Sequence, residues 1–240
     1  MSALTARLLD PLQSLFFPSH CAGCGCAVSE GANLCVPCNA GIERIRPPRC
    51  EVCSQPYSGD VPVFTCPNCQ GEAFHFEYAI SMVLSRGIVR EMVHRLKYGK
   101  ELWLGRVFAE WMCEGFEDIR LRDWKPDALV PVPLHPRRLR EREFNQAEIL
   151  SHEVSRLCGI PVLLPLTRHR YTTTQTRLDR RGRRQNLRDA FIPVKNRDVT
   201  NLNLLLVDDV LTTGSTLDAC AAVLLESGAA SVRALTAARG

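Results

Sequence analysis

The chain contains 240 residues, of which 45% are hydrophobic, and it carries a formal net charge of +4. This length accommodates one domain of ordinary size and a small additional module, and the hydrophobic fraction is sufficient for a buried core. The mild net charge excludes a uniformly basic chain, so an anionic partner has to be recognised through local clusters of charge.

The first segment, residues 1–17, is predicted to form an amphipathic helix because leucines recur at helical spacing from Leu4 to Leu15. Its apolar runs are short and Asp10 interrupts them, which argues against a secretory signal. No apolar run in the sequence is long enough to span a bilayer. We therefore expect a soluble, cytoplasmic protein without a membrane span.

A cysteine-rich module is predicted over residues 18–75. Of the 12 cysteines, eight form four Cys-x-x-Cys pairs in this segment. In a chain without an export signal, this pattern favours metal binding over disulfides. The eight candidate ligands are Cys21, Cys24, Cys35, Cys38, Cys50, Cys53, Cys66 and Cys69.

An internal repeat indicates that the module contains two equivalent units. Residues 18–25 align with residues 47–54, and the turn Cys35/Cys38 aligns with the turn Cys66/Cys69 after a shift of two residues. Each unit therefore contains two Cys-x-x-Cys turns. Because two such turns present four thiolates to one ion, we predict two zinc ribbons, each with a closed and therefore structural Zn²⁺ site. The repeat favours sequential pairing of the turns, although the spacing also permits cross-pairing. A redox dithiol is the less favoured alternative, and Cys26 is left as a spare thiol.

The remainder of the chain, residues 76–240, is predicted to form one α/β domain. Apolar stretches that indicate strands alternate with stretches of helical periodicity, which is typical of a mostly parallel sheet flanked by helices. The predicted strands are 77–84, 127–134, 161–166, 204–207 and 231–236, and the predicted helices are 87–97, 102–116, 147–157 and 217–225. Pro131 and Pro133 prevent ordinary ladder pairing after Val130. Cys113, Cys158 and Cys220 lie in helical patterns, and we expect them to be buried.

Two basic segments contrast with the modest net charge. Residues 137–142 carry four arginines and one acid, and residues 168–188 carry eight arginines against one acid. A solvated surface is the ordinary meaning of a charge run, but this excess favours contact with an anion such as a phosphate backbone. The eight arginines are Arg168, Arg170, Arg177, Arg180, Arg181, Arg183, Arg184 and Arg188.

The most informative stretch is residues 202–217, where an apolar strand ends in Asp208 and Asp209 and a hydroxyl-rich turn opens a helix. The free N–H groups of a helix N-terminus can hold a phosphate. Open α/β sheets bind ligands at the carboxyl ends of their strands. An ordinary strand–loop–helix joint is the alternative interpretation, and the length of the matching string disfavours it.

This string resembles the 5-phosphoribosyl-1-diphosphate (PRPP) motif of type I phosphoribosyltransferases. The resemblance implies that the two acids hold the ribose hydroxyls, that the turn cradles the 5′-phosphate, and that Mg²⁺ accompanies PRPP. The implied PRPP-binding residues are Asp208, Asp209, Leu211, Thr212, Thr213, Gly214, Ser215 and Thr216. No side-chain nucleophile is implied, so no catalytic residue is nominated.

The motifs taken in order resemble the ComF family, whose members join an N-terminal zinc-ribbon module to a phosphoribosyltransferase-like domain. The motifs that carry this resemblance are the cysteine array, residues 96–99, 130–134 and 144–146, Thr174 to Thr176 with Arg183 and Asn186, and residues 207–216. The family usually has glycine where this chain has Glu143. The resemblance implies a flexible loop at residues 168–188 and a pyrophosphate loop that includes Val132, Pro133, Leu134, His135 and Arg137.

By this resemblance, the protein is expected to bind PRPP and single-stranded DNA during DNA uptake in natural transformation. DNA-uptake or helicase proteins are then candidate partners. Two other functions stay open: an active phosphoribosyltransferase that uses an unidentified nitrogenous base, and a zinc-ribbon module that binds proteins.

Overall fold

The structure is a computed structural model that describes residues 20–59, 64–171, 187 and 189–240. The helix predicted over residues 1–17 lies outside the described residues. So do six of the arginines in the second basic segment, namely Arg177, Arg180, Arg181, Arg183, Arg184 and Arg188.

The centre of the α/β domain is a parallel sheet of four strands in the order β1-β6-β5-β2. The strands are β1 (Ala79–Leu84), β2 (Ala128–Pro131), β5 (Asn203–Leu211) and β6 (Ser231–Arg239). Strand β5 pairs with both β2 and β6, so it lies in the interior of the sheet. The carboxyl ends of all four strands therefore meet at one edge of the sheet.

Helices cover both faces of the sheet. In the described part of the chain, the helices are α1 (Val36–Ala40), which lies in the zinc module, and α2 (Gly87–Tyr98), α3 (Leu104–Glu114), α4 (Ile119–Arg122), α5 (Pro136–Arg142), α6 (Gln146–Cys158) and α7 (Ser215–Glu226), with a 3₁₀ turn at Gly115–Glu117. Leu205 and Val207 point towards α2, α3 and α6, whereas Leu204 and Leu206 point towards α7 and the second group of cysteines. This alternation follows from the two-residue period of a strand. The predicted α/β architecture is thus confirmed.

A separate antiparallel hairpin consists of β3 (Leu166–Arg168) and β4 (Phe191–Pro193). The strand predicted at 161–166 is therefore wrong in its bounds. Residue Val162 makes only an isolated parallel bridge with Leu129, and the strand begins at Leu166. Pro161 and Pro165 lack the N–H that a continuous ladder needs, which explains why this stretch is not a strand.

The zinc-ribbon module packs directly on the α/β domain. The backbone N–H of Ile45 donates to the carbonyl of Met82, and the N–H of Ala79 donates to the carbonyl of Val52, at 2.8 Å each. Cys50, Cys53, Cys66 and Cys69 belong to the same buried cluster as the sheet residues. The second half of the module is therefore a part of the domain core.

The three cysteines outside the module differ in burial. Cys220 is fully buried, as expected, but Cys113 and Cys158 are only partly buried, and their sulfur atoms lie 2.9 Å apart across the α3–α6 contact. Within the described part of the chain, no helix is both long and apolar enough to cross a lipid bilayer.

Candidate functional site

The candidate site lies at the carboxyl edge of the sheet, where Asp208 and Asp209 belong to the last residues of β5. The strand continues to Leu211, so the two acids lie inside it and not beyond its end. Hydrogen-bonded pairing with β6 holds the backbone on both sides of the acids, at Asp208 with Thr236 and at Val210 with Ala238. The sheet therefore fixes where the carboxylates stand.

Asp209 is a buried carboxylate with two polar partners. The ammonium of Lys97, at the end of α2, forms an ion pair with Oδ2, and the side-chain amide of Gln146, at the start of α6, donates to Oδ1 at 3.1 Å. Burial favours the neutral acid, but the charge and the hydrogen bond of Lys97 outweigh it, so the pKa of Asp209 lies below its usual range. Asp209 is therefore ionised and held in place.

Asp208 has the opposite environment. Burial and the neighbouring charge of Asp209 raise the pKa of Asp208 well above its usual value. Its Oδ1 accepts a hydrogen bond from the backbone N–H of Asp209 at 2.9 Å. Two adjacent acids thus have different protonation behaviour because only one of them faces Lys97.

The turn after β5 opens helix α7. Gly214 precedes the helix with φ +81° and ψ −6° and has no side chain to cap it, while the N–H of Ser215 donates to Thr213 Oγ1 at 3.4 Å. A Cβ at Gly214 would lie 3.2 Å from Phe74 Cε1, so both the backbone angle and the close approach require glycine here. The hydroxyls of Thr213 and Ser215 lie 2.9 Å apart, and Thr212 is exposed. The N–H groups at the start of the helix and the hydroxyls together can receive a phosphate.

The segment predicted as the pyrophosphate loop follows β2 and lies beside β5. The N–H of Val132 donates to the carbonyl of Val207 at 2.9 Å, and the side chain of Asn145 donates to the carbonyl of Val132 at 3.0 Å. Pro133 and Leu134 continue without regular structure, and the ring of His135 caps α5. This loop therefore borders the acids through the β2–β5 pairing.

Two arginine–aromatic stacks lie on segments that adjoin this edge. The guanidinium of Arg137 lies 4.9 Å from the ring centre of Tyr171, and that of Arg142 lies 4.9 Å from the ring centre of Tyr98. Tyr98 is 60% exposed and follows Lys97 directly. These stacks place positive charge and flat aromatic surface together.

Glu143 occupies a left-handed conformation, with φ +72°, immediately after α5. This is the position at which the ComF resemblance leads one to expect glycine, the residue that adopts such angles without steric cost. The carboxylate of Glu143 forms an exposed ion pair with Lys100 at 2.7 Å. The backbone turn is therefore kept even though the glycine is absent.

The second basic segment is described only at its start. Arg168 is buried in β3, with its guanidinium 5.3 Å from the ring centre of Phe191, and burial lowers its pKa. Arg170 is exposed. Of the two described arginines in this segment, only Arg170 thus presents its side chain to solvent.

A groove of about 890 Å³ lies between α7 and the β3–β4 hairpin. Ser215, Asp218, His169 and Phe191 are among its lining residues. His75, which follows the zinc module, contacts Asp218 Oδ1 through its backbone N–H at 2.7 Å. The groove thus adjoins the helix N-terminus at Ser215.

The cysteines form two separate four-sulfur groups. Cys21, Cys24, Cys35 and Cys38 form the first centre, and Cys50, Cys53, Cys66 and Cys69 form the second, with the four sulfurs of each centre within 4.8 Å of one another. The structure therefore confirms sequential pairing, the arrangement favoured by the repeat. All four cysteines of the second centre are buried, whereas Cys24 in the first is exposed. Both centres fit a tetrahedral Zn²⁺ ion bound by thiolates.

Sequence reasoning assigned no role to Lys97 or Gln146, although both belong to motifs that carry the family resemblance. The structure brings these two side chains to Asp209 from different helices. Their placement inside short motifs at helix ends was the available signal.

Comparison with known proteins identifies the relatives of this chain. The family described as "Double zinc ribbon domain" matches residues 12–73. Competence protein F of Haemophilus influenzae is 36% identical over 141 residues, which cover 57% of this chain and 62%, less than two thirds, of that relative. DNA utilization protein YhgH of Salmonella typhimurium is 31% identical over 206 residues, which cover 83% of this chain and 87% of that relative. Competence protein ComFC of Bacillus subtilis is 27% identical over 213 residues, which cover 85% and 82%.

Solved structures of phosphoribosyltransferases are also similar. The purine phosphoribosyltransferase of Pyrococcus horikoshii is 19% identical with a TM-score of 0.35, and the match covers 55% of this chain and 71% of that chain. The adenine phosphoribosyltransferase of Leishmania tarentolae is 16% identical with a TM-score of 0.34 and covers 53% of each chain. Similarity at this level supports no statement about activity.

Proposed function

Because the chain belongs to the ComF family, we propose that it binds PRPP with Mg²⁺ at Asp208, Asp209 and the turn from Leu211 to Thr216, and that it binds single-stranded DNA during DNA uptake. The observation that carries the proposal is the acid pair of β5 beside the start of α7. Carboxylates accept hydrogen bonds from vicinal hydroxyls, and the helix start attracts a phosphate.

The chain's own residues divide the work of ligand binding. Lys97 and Gln146 hold the Asp209 carboxylate in one orientation, so that it can accept a hydrogen bond from a ribose hydroxyl without reorganising. The Oδ1 of Asp208 accepts a hydrogen bond from the adjacent backbone N–H, and we expect its carboxyl group to meet the second ribose hydroxyl. Mg²⁺, when bound with PRPP, offsets the negative charge of the diphosphate.

Binding of single-stranded DNA is supported by the arginine–aromatic stacks of Arg137 with Tyr171 and of Arg142 with Tyr98. Aromatic rings supply stacking surface for bases, and arginines neutralise the phosphate backbone. Tyr98 is exposed, and Tyr171 is half-buried. The basic segment 168–188 adds further positive charge next to Tyr171 in the sequence. The same surface would close over the diphosphate of PRPP, so we expect the two ligands to compete.

Calorimetry with PRPP and Mg²⁺ tests the first part. The double variant D208N/D209N should lose binding at least tenfold, and D123N should bind as the wild type does, because Asp123 is exposed and remote from the acid pair in sequence. Equal affinities for the double variant and D123N would remove the assignment.

Fluorescence titration with a labelled oligonucleotide tests the second part. Affinity should fall with salt with a slope of about 0.7 for each phosphate neutralised on a single strand. The R137A/R142A variant should flatten that slope, while R156A should not, because Arg156 lies on α6 and pairs with Glu153. An unchanged slope in R137A/R142A would assign the DNA contact elsewhere.

A second candidate function is phosphoribosyl transfer to a nitrogenous base, and the groove bordered by Ser215 and Phe191 is the observation that favours it. It places an open groove next to the proposed phosphate cradle. Release of diphosphate from PRPP on addition of one base from a panel, and not without a base, would establish this activity.

A further inference from the structure

Arg239, at the end of β6, is a buried cation between the second zinc centre and the turn that follows β5. Its side chain belongs to a residue that is 3% exposed. One guanidinium nitrogen, Nη2, lies 3.8 Å from Cys53 Sγ, and the other, Nη1, donates to the carbonyl of Leu211 at 3.1 Å. One side chain therefore contacts a zinc ligand and the last residue before the turn.

The negative charge of the second zinc centre explains how the positive charge of Arg239 can be buried. Among the described residues, no aspartate or glutamate is paired with Arg239, its Nε has no hydrogen-bond partner, and its Nη1 also donates to the oxygen of Gly240. A buried charge is costly unless an opposite charge offsets it. Four thiolates around one Zn²⁺ carry two net negative charges, and all four cysteines of the second centre are buried. The thiolate centre and the guanidinium thus neutralise each other in part.

At the first zinc centre, the nearby arginine in the described part of the chain is paired differently. Arg95 donates to the carbonyl of Ala22 at 2.6 Å, next to a ligand of that centre, but its charge is offset by Glu101 at 2.5 Å. The first centre is also more exposed, so solvent screens its charge. The contrast makes the pairing with Arg239 specific to the second centre.

The other end of Arg239 reaches the proposed phosphate cradle. The carbonyl of Leu211 receives the guanidinium bond and also a bond from the N–H of Gly240 at 2.8 Å. Thr212 follows directly, and the turn runs on to Gly214 at the start of α7. Fixing the carbonyl at Leu211 fixes the direction in which the chain enters the turn.

We propose that Arg239 is a positioning residue that couples the second zinc centre to the turn from Leu211 to Thr216, so that metal in the centre and ligand at the turn stabilise each other. The ligand half of this coupling rests on the proposed PRPP function. The metal half does not, since it concerns only the thiolates and the guanidinium. By linkage, the coupling is reciprocal: PRPP slows the loss of zinc from the second centre, and the loss of that zinc weakens PRPP binding.

The test uses the zinc-loaded full chain and the variants R239Q, R239K and R233Q. Arg233 is the matched control because it lies on the same strand and bonds to Glu77 and the carbonyl of Arg120, away from both the centre and the turn. Timed alkylation in the presence of a chelator, read by peptide mass spectrometry, reports the opening of each centre through its own cysteines. Calorimetry reports PRPP binding.

R239Q should open the second centre at least tenfold faster, because partners outside the ligand shell commonly change metal affinity by about 10- to 100-fold. The first centre should be unchanged, and PRPP binding should weaken several-fold. R239K keeps the charge and should retain the second centre within about threefold of the wild type, which tests the idea even if R239Q fails to fold. R233Q should match the wild type in both measurements.

Equal opening of the second centre in R239K and the wild type, together with protection of that centre by PRPP in the wild type and not in R239Q, supports the proposal. The proposal would be overturned if R239Q opened the two centres equally fast, or if R239K opened the second centre as fast as R239Q does. In either case, charge compensation at the second centre would not be the cause. If the wild type fails to bind PRPP, the proposed function is lost, while the alkylation of R239Q and R239K still decides the metal half.

Discussion

Asparagine substitutions at the two adjacent acids are expected to change the thermal stability in opposite directions. D209N removes the charge that Lys97 faces, and the Lys97 side chain is only 21% exposed. Loss of one partner of a buried charge pair costs about 2–5 kcal/mol. Because the ammonium keeps some contact with solvent, we expect the lower end, about 2 kcal/mol, which corresponds to a fall of about 4–8 °C in Tm for a chain of this size.

D208N should raise the stability instead. Burial and the charge of Asp209 raise the pKa of Asp208, which means that the ionised form is disfavoured in the folded state. The amide of asparagine is neutral and of similar shape, and its oxygen can still accept the bond from the N–H of Asp209. A stabilising substitution commonly contributes about 0.5–2 kcal/mol. We expect about 1 kcal/mol, which corresponds to a Tm higher by about 2–4 °C.

The pH dependence follows from the direction of each shift. The pKa of Asp208 is raised in the folded state, so its contribution to stability is present at acid pH and is lost as the pH rises through the raised pKa. The advantage of D208N over the wild type should therefore grow with pH. The pKa of Asp209 is lowered, so its contribution is present above the usual carboxyl range and is lost as the pH falls through the lowered pKa. The deficit of D209N should shrink in acid.

Differential scanning calorimetry at fixed zinc, from pH 8 down to below about pH 4, where unperturbed aspartic acids titrate, measures both effects. Both variants should also bind PRPP more weakly, so a gain in stability at D208N would accompany a loss of function. A fall in Tm for D208N as large as that for D209N would refute the reasoning, because it would mean that both acids stabilise the fold through their charge.

Three further predictions concern metal release, strain and the glycine turn. A chelator should remove zinc from the first centre before the second, as read by alkylation of the cysteines of each centre, because only the second is fully buried; simultaneous release would contradict this. E143G should raise the stability to thermal unfolding by about 0.5–1 kcal/mol, because glycine relieves the left-handed strain and the exposed pair with Lys100 contributes little. E141G, within the same helix, should lower it by about 1 kcal/mol. G214A should weaken PRPP binding at least tenfold in calorimetry, since the new Cβ would press on Phe74.

The distribution of apolar residues along the chain was enough to predict most elements of the α/β domain. The apolar run from Leu204 to Val207 identified β5, and helical periodicity identified α2, α3, α6 and α7 close to their observed bounds. The prediction of a strand at 161–166 was wrong because this stretch has the apolar composition of a strand, but Pro161 and Pro165 lack the N–H groups that ladder hydrogen bonds need. Composition reports burial, but it does not report which backbone groups find partners.

The cysteine spacing by itself determined that the module holds two four-sulfur centres, because thiolate pairs at this spacing have one common use. Their sequential pairing followed from the repeat and is confirmed by the structure. The sequence also determined that two acids and a hydroxyl-rich turn stand together, because these residues are neighbours along the chain. The proximity of residues that are neighbours along the chain does not depend on the fold.

Only the tertiary structure decided which partners these groups meet. Lys97 and Gln146 reach Asp209 from two helices, whereas burial and the charge of Asp209 dominate at Asp208, so identical side chains acquire opposite pKa shifts. Arg239 stands 186 residues from Cys53 in sequence yet contacts its sulfur. Such contacts depend on the order of strands in the sheet and on the faces that the helices cover. The pattern of residues along the chain specifies neither the strand order nor the helix placement, because packing of the whole core decides which distant segments pair.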